Sequence, residues 1–330
     1  MPDINIKEIY DISRTALVQH GALTWVAGEV ASAIAASESV GNKICGLYYL
    51  ESYCEQLISG RVDGKAAPEI QLMRTGSVYV NAKDGFAQPA FSKGLPEALK
   101  VARENGIASL SVGRAHTCTS LGYFTKKIAE AGFLGLGLTN ASPIVAPPGG
   151  KSRIIGTNPI AFSVPDGSGG IAMQFDQSTT TVALGKITMA KAAGKSIPEG
   201  WALDKDGKST TNPEEALHGT LVSAGGYKGW GFGLMAEILV AGMTGGRISK
   251  NVAPLKAKDG EPHNLGQFYI IIDPASGASF YNRLEELTAI VSSEEGTRMP
   301  GQYTVPQVKV DVPDDLWNLA VSLSKAKFSE

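Results

Sequence analysis

The chain of 330 residues is long enough for two to three average domains or for one large, enzyme-sized unit. Its 30 Lys and Arg nearly balance 32 Asp and Glu, and the formal net charge of −2 disfavours a strongly basic nucleic-acid binder. Hydrophobic residues make up 43% of the chain, which predicts a globular protein with a sizeable core and excludes a disordered one. The 39 glycines indicate many tight backbone sites.

Targeting signals and metal-binding patterns are absent from the sequence. Residues 1–21 carry acids and no apolar core, so no signal peptide is predicted. The longest apolar run, 231–243, contains Glu237 and is too short for a membrane span, so it predicts a buried helix. Three cysteines without CxxC spacing argue against a disulfide framework or a zinc site. We therefore expect a cytoplasmic protein without metal, bound to neither membrane nor nucleic acid.

Hydrophobic spacing gives a sequence of elements along the chain. It predicts helices at 6–20, 22–37, 47–58 (ending at Gly60), 89–105, 121–131, 179–193, 227–243, 285–291 and 314–326. It predicts strands at 69–73, 78–81, 108–112, 133–138, 160–164, 171–175 and 267–272. The alternation of strands and helices in the middle of the chain predicts an α/β sheet. Composition marks no domain boundary.

The common nucleotide-binding fingerprints fail. The run GLGLTN (135–140) has an Asn where a dinucleotide fingerprint needs its third glycine. The GKS and GKST runs lack the upstream glycine of a P-loop. The sequence therefore predicts neither a Rossmann domain nor a P-loop.

Four Gly/Pro-rich segments suit an anionic ligand instead: APPGG (146–150), GTNP (156–159), FDQSTT (175–180) and GGYKG (225–229). Each places backbone N–H groups, small hydroxyls or one charge beside a strand end or a helix start. GGYKG opens a helix, where free N–H groups and Lys228 converge. Taken singly, each segment is more simply interpreted as a turn, and Asp176 could equally cap a helix beginning near Thr179.

Of the four histidines, only His116 lies where α/β proteins place ligands, directly after a predicted strand. A structural role for it remains open beside a catalytic one. The other three are predicted to be incidental, at helix ends (His20, His218) and in a polar loop (His263).

In this order and spacing the four segments resemble the type-2 malate/L-lactate dehydrogenase family, and the likeness runs through nearly the whole chain. The resemblance implies a non-Rossmann mixed α/β sheet with flanking helices, formed by residues 1–330 as one unit. It implies a nucleotide-binding lobe at about 110–250, with the remaining N- and C-terminal segments forming a second lobe. It also implies NAD or NADP as cofactor, a small-molecule substrate and a homodimer.

The resemblance also implies a set of cofactor-binding residues. They are Thr117, Asp176, Gln177, Ser178, Tyr227, Lys228, Arg298, Gly301 and Gln302. The choice between NAD and NADP stays open, because Arg298 indicates a 2′-phosphate only weakly.

The chain departs from the family at the catalytic motif. Ile44 and Cys45 stand where members carry Ser and a proton-transferring His, and Tyr49 replaces an Arg that binds the substrate carboxylate. In a second motif Thr117 occupies the His position, with His116 one residue early. The candidate catalytic residues are Cys45, Tyr49, His116, Thr157 facing the substrate, and Lys186, which keeps the family's Gly-Lys pair.

A hydride transfer to a carbonyl needs a proton donor, for which Cys45 is one candidate. Tyr49 is another, if a cation such as Lys186 lowers its pKa. An iminium substrate arrives already protonated, so its reduction needs less help from a side chain and stays possible here.

We predict an NAD(P)-dependent oxidoreductase acting on a small 2-oxo or 2-hydroxy acid. The alternatives are a reductase of cyclic imino acids such as pyrroline- or piperideine-2-carboxylate, and a catalytically silent nucleotide-binding member.

Overall fold

A computed structural model describes residues 3–302 and 304–326 of the chain. Its helices are α1 (Ile6–Gln19), α2 (Thr24–Ser39), α3 (Leu50–Ser59), α4 (Ala87–Asn105), α5 (Gly122–Glu130), α6 (Leu184–Ala192), α7 (Pro213–His218), α8 (Tyr227–Thr244), α9 (Phe280–Ser292) and α10 (Asp314–Lys325). Its strands are β1 (Asp3–Asn5), β2 (Glu69–Arg74), β3 (Ser77–Asn81), β4 (Ile107–Ala115), β5 (Leu134–Thr139), β6 (Ile160–Pro165), β7 (Ile171–Gln177), β8 (Ala202–Leu203), β9 (Ser209–Thr210), β10 (Thr220–Leu221), β11 (Leu265–Ile272) and β12 (Lys309–Asp311).

A seven-stranded mixed sheet forms the centre, in the order β2-β3-β4-β11-β5-β6-β7. Only the β3–β4 pair is parallel, and each other neighbouring pair of this sheet is antiparallel. The late strand β11 enters between β4 and β5, a connectivity that a doubly wound dinucleotide-binding sheet does not have. The predicted non-Rossmann mixed α/β sheet with flanking helices is confirmed.

Helices cover both faces of this sheet, and side-chain alternation on β11 shows how. Tyr269 and Ile271 point into the core formed with α4 and α5, where Phe91 and Phe124 pack against Tyr269. Phe268 points to the opposite face, against α8. Successive strand residues face opposite sides, so one strand contributes to both cores. The central strands are therefore covered on both faces.

Two further units flank the sheet. Helices α1, α2, α3 and α10 pack into a second hydrophobic core, which β1 and β12 close as a short antiparallel pair. A third core holds α6, α7 and the three-stranded sheet β10-β8-β9, which the sequence pattern did not predict. Two-residue strands are too short for an alternating pattern to be recognised.

Two predictions of local structure are wrong. The helix predicted at 179–193 begins only at Leu184, because the N–H groups of Thr179 and Thr181 bind the carbonyls of Thr157 and Val222. The apolar helix α8 is not buried on all sides. The side chains of Phe232, Ile238 and Met243 are 55%, 67% and 49% exposed.

Within the described part of the chain, no helix is long and apolar enough to cross a membrane. The strands on either side of residue 110 belong to one sheet. The division into lobes at about 110 and 250 stays a prediction.

Candidate active site

Three of the four Gly/Pro-rich segments meet at the end of β7. Thr179, two residues past β7, donates its N–H to the carbonyl of Thr157 in GTNP at 3.0 Å. Its own carbonyl accepts the N–H of Ala224, just before GGYKG, at 2.9 Å. The fourth segment, APPGG, follows Val145, which is bridged to Ile155 immediately before GTNP. Segments far apart in sequence thus form one surface around Thr179.

The N-terminus of α8 forms an open anion cradle on this surface. Gly225 and Gly226 both have φ of +61°, a conformation that other residues adopt only with strain. A Cβ at Gly229 would lie 2.2 Å from the carbonyl oxygen of Ala224, so this position also requires glycine. Tyr227, with 79% of its surface exposed, and the exposed Lys228 lie at this helix start. The N–H groups of Lys228, Gly229 and Trp230 already donate to the carbonyls of Gly225, Ala224 and Gly226, so fewer N–H groups are free than the sequence predicts. The positive end of a helix and a lysine fit a phosphate or pyrophosphate group.

A buried carboxylate fixes GTNP to α8. Glu237 is 7% exposed and accepts hydrogen bonds from Asn158 Nδ2 at 2.7 Å and from the N–H and hydroxyl of Ser249 at 2.6 and 2.5 Å. Asn158 has φ of +35° and donates a second bond to the Gly233 carbonyl. The predictions from sequence did not include Glu237 in the site, although it holds Thr157's neighbour in place.

The C-terminal element with Arg298, Gly301 and Gln302 lies along β7. Gln174 N donates to the carbonyl of Pro300 at 2.9 Å, and a Cβ at Gly301 would lie 2.7 Å from the Gln174 carbonyl oxygen. Gln302 accepts the N–H of Met299 through its side chain, and Arg298 is exposed. These residues therefore lie beside the strand that carries Asp176. Their contact with a nucleotide stays a prediction.

Two short 3-10 turns, Lys43–Cys45 and Leu47–Tyr49, carry the altered catalytic motif. The buried Glu38 accepts the N–H of Leu47 at 2.8 Å, and a Cβ at Gly46 would lie 2.1 Å from its carboxylate. Burial raises the pKa of Glu38. The carboxylate thus fixes the link between the two turns, which positions Cys45 and Tyr49 relative to each other.

Cys45 and Tyr49 lie together near Asp176 and Cys118, and both are only partly exposed. Burial, with Asp176 and Cys118 nearby, raises the pKa of Cys45 to about 12. Burial, with Cys45 as neighbour, also raises the pKa of Tyr49. The condition under which Tyr49 would be a readily ionised acid, a pKa lowered by a cation such as Lys186, is not met, because its pKa is raised. The thiol and the phenol stay protonated near neutral pH and act as hydrogen-bond donors.

Lys186 itself is exposed. It is next in sequence to Gly185, which contacts the turn that carries Ile44 and Cys45. Gly185 packs so closely on Ile44 that a Cβ there would lie 2.0 Å from the Ile44 side chain. The predicted Gly-Lys pair therefore borders the turns that carry Cys45. Its role in catalysis stays a prediction.

Asp176, the last residue but one of β7, faces the start of α5. Its carboxylate accepts the N–H of Gly122 at 2.7 Å and the hydroxyl of Ser120 at 3.3 Å. It therefore caps α5, and not a helix near Thr179. Part of the side chain is exposed, yet desolvation raises its pKa, a combination that a concave site produces. Asp176 also raises the pKa of Cys45, so the two side chains are near each other, and we call the region around Cys45, Tyr49, Cys118 and Asp176 the Cys45 cleft.

His116 does not line this cleft. It is 2% exposed, its Nε2 lies 2.6 Å from Gln56 Oε1, and its ring stacks on His263 at a centroid distance of 4.0 Å. Tyr53 lies between His116 and Tyr49. Its ring centroid is 5.4 Å from that of His116 and 5.7 Å from that of Tyr49. Burial, with His263 and Arg61 nearby, holds the pKa of His116 well below its usual value. The candidate role of His116 at the reacting centre is therefore replaced by a structural one.

The residues next to His116 belong to the same buried cluster. Thr117 is 7% exposed and donates its N–H to His263 Nδ1 at 3.2 Å, so its predicted contact with the cofactor is not supported. The sequence indicated that His263 is incidental, but this residue is 2% exposed and belongs to the buried cluster. Burial lowers its pKa to about 3. No local signal could have paired it with His116, because the contact joins distant parts of the chain.

The fold and the site define a non-Rossmann α/β protein with an anion cradle at a helix start beside a cleft. The family model described as malate/L-lactate dehydrogenase matches residues 4–308. The chain belongs to this family, and the predicted resemblance is confirmed.

Known relatives cover almost the whole chain. A (2R)-3-sulfolactate dehydrogenase (NADP(+)) of Chromohalobacter salexigens is 36% identical over 300 residues, covering 90% of this chain and 89% of its own. A ureidoglycolate dehydrogenase (NAD(+)) of Escherichia coli K12 is 31% identical, covering 97% and 95%. The crystal structure of Δ1-piperideine-2-carboxylate reductase from Pseudomonas syringae pv. tomato has a TM-score of 0.91 at 30% identity, covering 98% of this chain and all of that one. These relatives are oxidoreductases, in agreement with the predicted class.

Proposed function

We propose that this protein is an NAD(P)-dependent oxidoreductase that transfers a hydride between nicotinamide and a small 2-oxo or 2-hydroxy acid. The observation that carries the proposal is the cradle of Gly225, Gly226 and Lys228, which shares Thr179 with the strand end that bears Asp176. The cradle would bind the nucleotide phosphates, with Tyr227, Gln177 and Ser178 beside it. The lobe at about 110–250 would then be the nucleotide-binding one.

The nicotinamide, when bound, donates or accepts the hydride. The chain's own residues bind and orient the two reactants and supply the proton. The phenol of Tyr49 and the thiol of Cys45 stay protonated near neutral pH, so each can donate a hydrogen bond to the oxygen that gains charge. Thr157 lies at the GTNP segment, whose backbone Glu237 holds through Asn158.

A cyclic imino acid is the second candidate substrate, and the raised pKa values favour it. No side chain among Cys45, Tyr49 and Cys118 ionises easily, because burial raises the pKa of each. An iminium carries its own proton, so its reduction needs no acid of neutral pKa. Two relatives with this activity in their names are 34% identical to the chain.

The test is a panel of 2-oxo acids and of pyrroline- and piperideine-2-carboxylate with NADH and NADPH, followed by nicotinamide absorbance. Turnover with 2-oxo acids supports the first candidate, and turnover with the cyclic imines alone supports the second. Nucleotide binding without any turnover would identify a catalytically silent member. Absence of binding at micromolar NADH and NADPH would contradict all three.

A variant localises the nucleotide on the structure. Replacing Lys228 with Met removes the cation from the cradle, and we expect nucleotide affinity to fall about 10-fold. The matched control is Lys195→Met, an equally exposed lysine beyond α6, which should leave affinity unchanged. Equal affinities of the two variants would place the phosphates elsewhere.

We further propose a homodimer, supported by the exposed apolar face of α8. Phe232, Met235 and Ile238 lie three residues apart on the helix, and Met243 continues the same exposed side. Apolar patches of this kind mark association surfaces. We expect Ile238→Arg to convert a dimer to a monomer in sedimentation velocity, with an unchanged circular dichroism spectrum. A variant that stays dimeric would exclude this face.

We also propose that the protein works in the cytoplasm. Cys45, Cys54 and Cys118 are all free thiols, which a reducing compartment maintains.

A further inference from the structure

Among the described residues, the side chains around Cys45 include a carboxyl group but no cation that could pair with the carboxylate of the proposed substrate. They are two thiols (Cys45, Cys118), a phenol (Tyr49) and the carboxyl of Asp176. Both proposed substrate classes carry a carboxylate next to the reacting carbon. A carboxylate in such a site needs a cation or several donors to replace its water. The family resemblance implies an arginine at position 49, where this chain has a tyrosine.

A lysine from a distant loop reaches this position. The ammonium of Lys256 lies 3.5 Å from the ring centroid of Tyr48 and 5.6 Å from that of Tyr49. It donates one hydrogen bond to the Tyr48 carbonyl at 3.0 Å, which leaves two N–H groups for another partner. The side chain as a whole is half-buried, and the hydrogen bond of its ammonium to Tyr48 lies at the protein surface.

The backbone around Lys256 is fixed on both sides. Gln56 donates to the carbonyls of Leu255 and Ala257 at 2.8 and 2.6 Å. Arg61 donates to the carbonyls of Ala257 and Pro254 at 2.5 and 3.1 Å. Gln56 and Arg61 are themselves 0% and 1% exposed. A loop held by buried side chains presents its lysine in one geometry, which lowers the entropy that ligand binding costs.

The other lysines near the turns are less suited to this task. Lys43 donates to the carbonyl of Asp311 and so points towards β12. Lys186 is exposed, and among the described residues its side chain makes no hydrogen bond or ion pair that would hold it in place. Lys256 alone combines proximity to Tyr49 with a fixed position.

We propose that Lys256 binds the substrate carboxylate, in place of the arginine that this chain lacks. The inference rests on the proposed oxidoreductase function. The ammonium pairs with the carboxylate as a point charge, while the Tyr48 ring lies beneath the ammonium and Tyr49 lies beside it. The substrate class is thereby restricted to molecules with a carboxylate next to the reacting carbon.

The kinetic test compares Lys256→Met with Lys256→Arg and with Lys258→Met. Lys258 is two residues away in the same loop, is exposed and pairs with Glu55, so it is a matched control. With the acid that the wild type turns over best, we expect KM to rise about 10- to 100-fold in Lys256→Met while kcat changes less than about 3-fold. Lys256→Arg should restore KM to within about 5-fold, and Lys258→Met should match the wild type.

A purely structural role would give a different result. If Lys256 only supported Tyr49, Lys256→Met would lower kcat with KM nearly unchanged, and this outcome overturns the proposal. An unchanged KM in Lys256→Met overturns it as well. Nucleotide affinity, measured by fluorescence titration, should be equal in all four proteins.

A second measurement decides the proposal even where no substrate is turned over. Oxamate, an unreactive 2-oxo carboxylate, is titrated against the protein alone and with NADPH by ligand-observed NMR. Binding by the wild type that weakens at least about 10-fold in Lys256→Met supports a carboxylate site, whatever becomes of the proposed reaction. Failure of the wild type to bind oxamate in either state, without turnover of any acid, overturns the inference.

Discussion

Replacing Glu237 with Ala is expected to lower the free energy of unfolding by about 3–5 kcal/mol. The carboxylate is buried and accepts three hydrogen bonds, from Asn158 Nδ2 and from the N–H and hydroxyl of Ser249. Alanine would leave the N–H of Ser249 without its acceptor, and Asn158 Nδ2 would keep only the Gly233 carbonyl. It would also release Asn158, whose φ of +35° needs support from its surroundings.

Urea unfolding with linear extrapolation measures this effect. Glu237→Gln keeps one acceptor and the side-chain shape, so an intermediate loss is expected. Glu199→Ala, at an exposed position, serves as the control and should change stability by less than about 0.5 kcal/mol. A loss below about 1 kcal/mol in Glu237→Ala would show that water or a shifted side chain replaces the carboxylate. Nucleotide affinity should fall together with stability, because Glu237 joins GTNP to α8.

The second large effect is a loss of stability in mild acid. Burial lowers the pKa of His263 from 6.5 to about 3, and it holds that of His116 well below its usual value. In both cases the folded state favours the neutral ring, so the unfolded chain binds more protons below pH 6.5. The stability from these rings is fully present above that pH and is lost as pH falls towards the folded-state pKa. For His263 alone the loss at pH 5 is about 2 kcal/mol.

Urea unfolding at a series of pH values between 7.5 and 5, about the range where histidine titrates, measures the slope. His263→Gln should flatten the slope, although Thr117 N–H loses its ring acceptor and stability at neutral pH falls. His218→Gln, at an exposed position, should leave the slope of the wild type unchanged. Equal slopes for the wild type and His263→Gln would mean that carboxylates, and not this histidine pair, govern the acid sensitivity.

The histidine cluster and the proposed carboxylate site depend on the same side chains. Gln56 faces His116 with its carbonyl oxygen and holds the Lys256 loop with its amide nitrogen. Because the Gln56 oxygen accepts from Nε2, the neutral ring of His116 already carries its proton on that nitrogen, and the two roles of Gln56 are compatible.

Much of the fold follows from the sequence alone. The helices that became α1, α2, α4, α5, α8 and α10 and the seven strands of the central sheet were predicted within a few residues of their observed bounds. Their signal is local: apolar residues recur at 3.6 or 2 positions wherever one face is buried. Short elements without that periodicity, such as β8, β9 and β10, were missed. The Thr-rich stretch before α6 was predicted as helix because its backbone partners lie elsewhere in the chain.

The sequence also determined the family and the glycine-rich helix start at which we propose that the nucleotide phosphates bind. GGYKG requires glycine for local reasons, namely two positive φ values at the start of a helix. The motif can therefore be recognised from this segment alone. The sequence likewise showed where the chain departs from the motif that the family resemblance implies, namely at Cys45 and Tyr49.

Only the tertiary structure decided which side chains meet. The stacking of His263 on His116, the bonds of Glu237 to Asn158 and Ser249, and the approach of Lys256 to Tyr49 each join residues from separate elements. No periodicity encodes such pairs, since a polar residue in a loop carries no sign of its partner. Burial then decided their chemistry, since the same histidine that titrates near neutral pH in water stays neutral when desolvated.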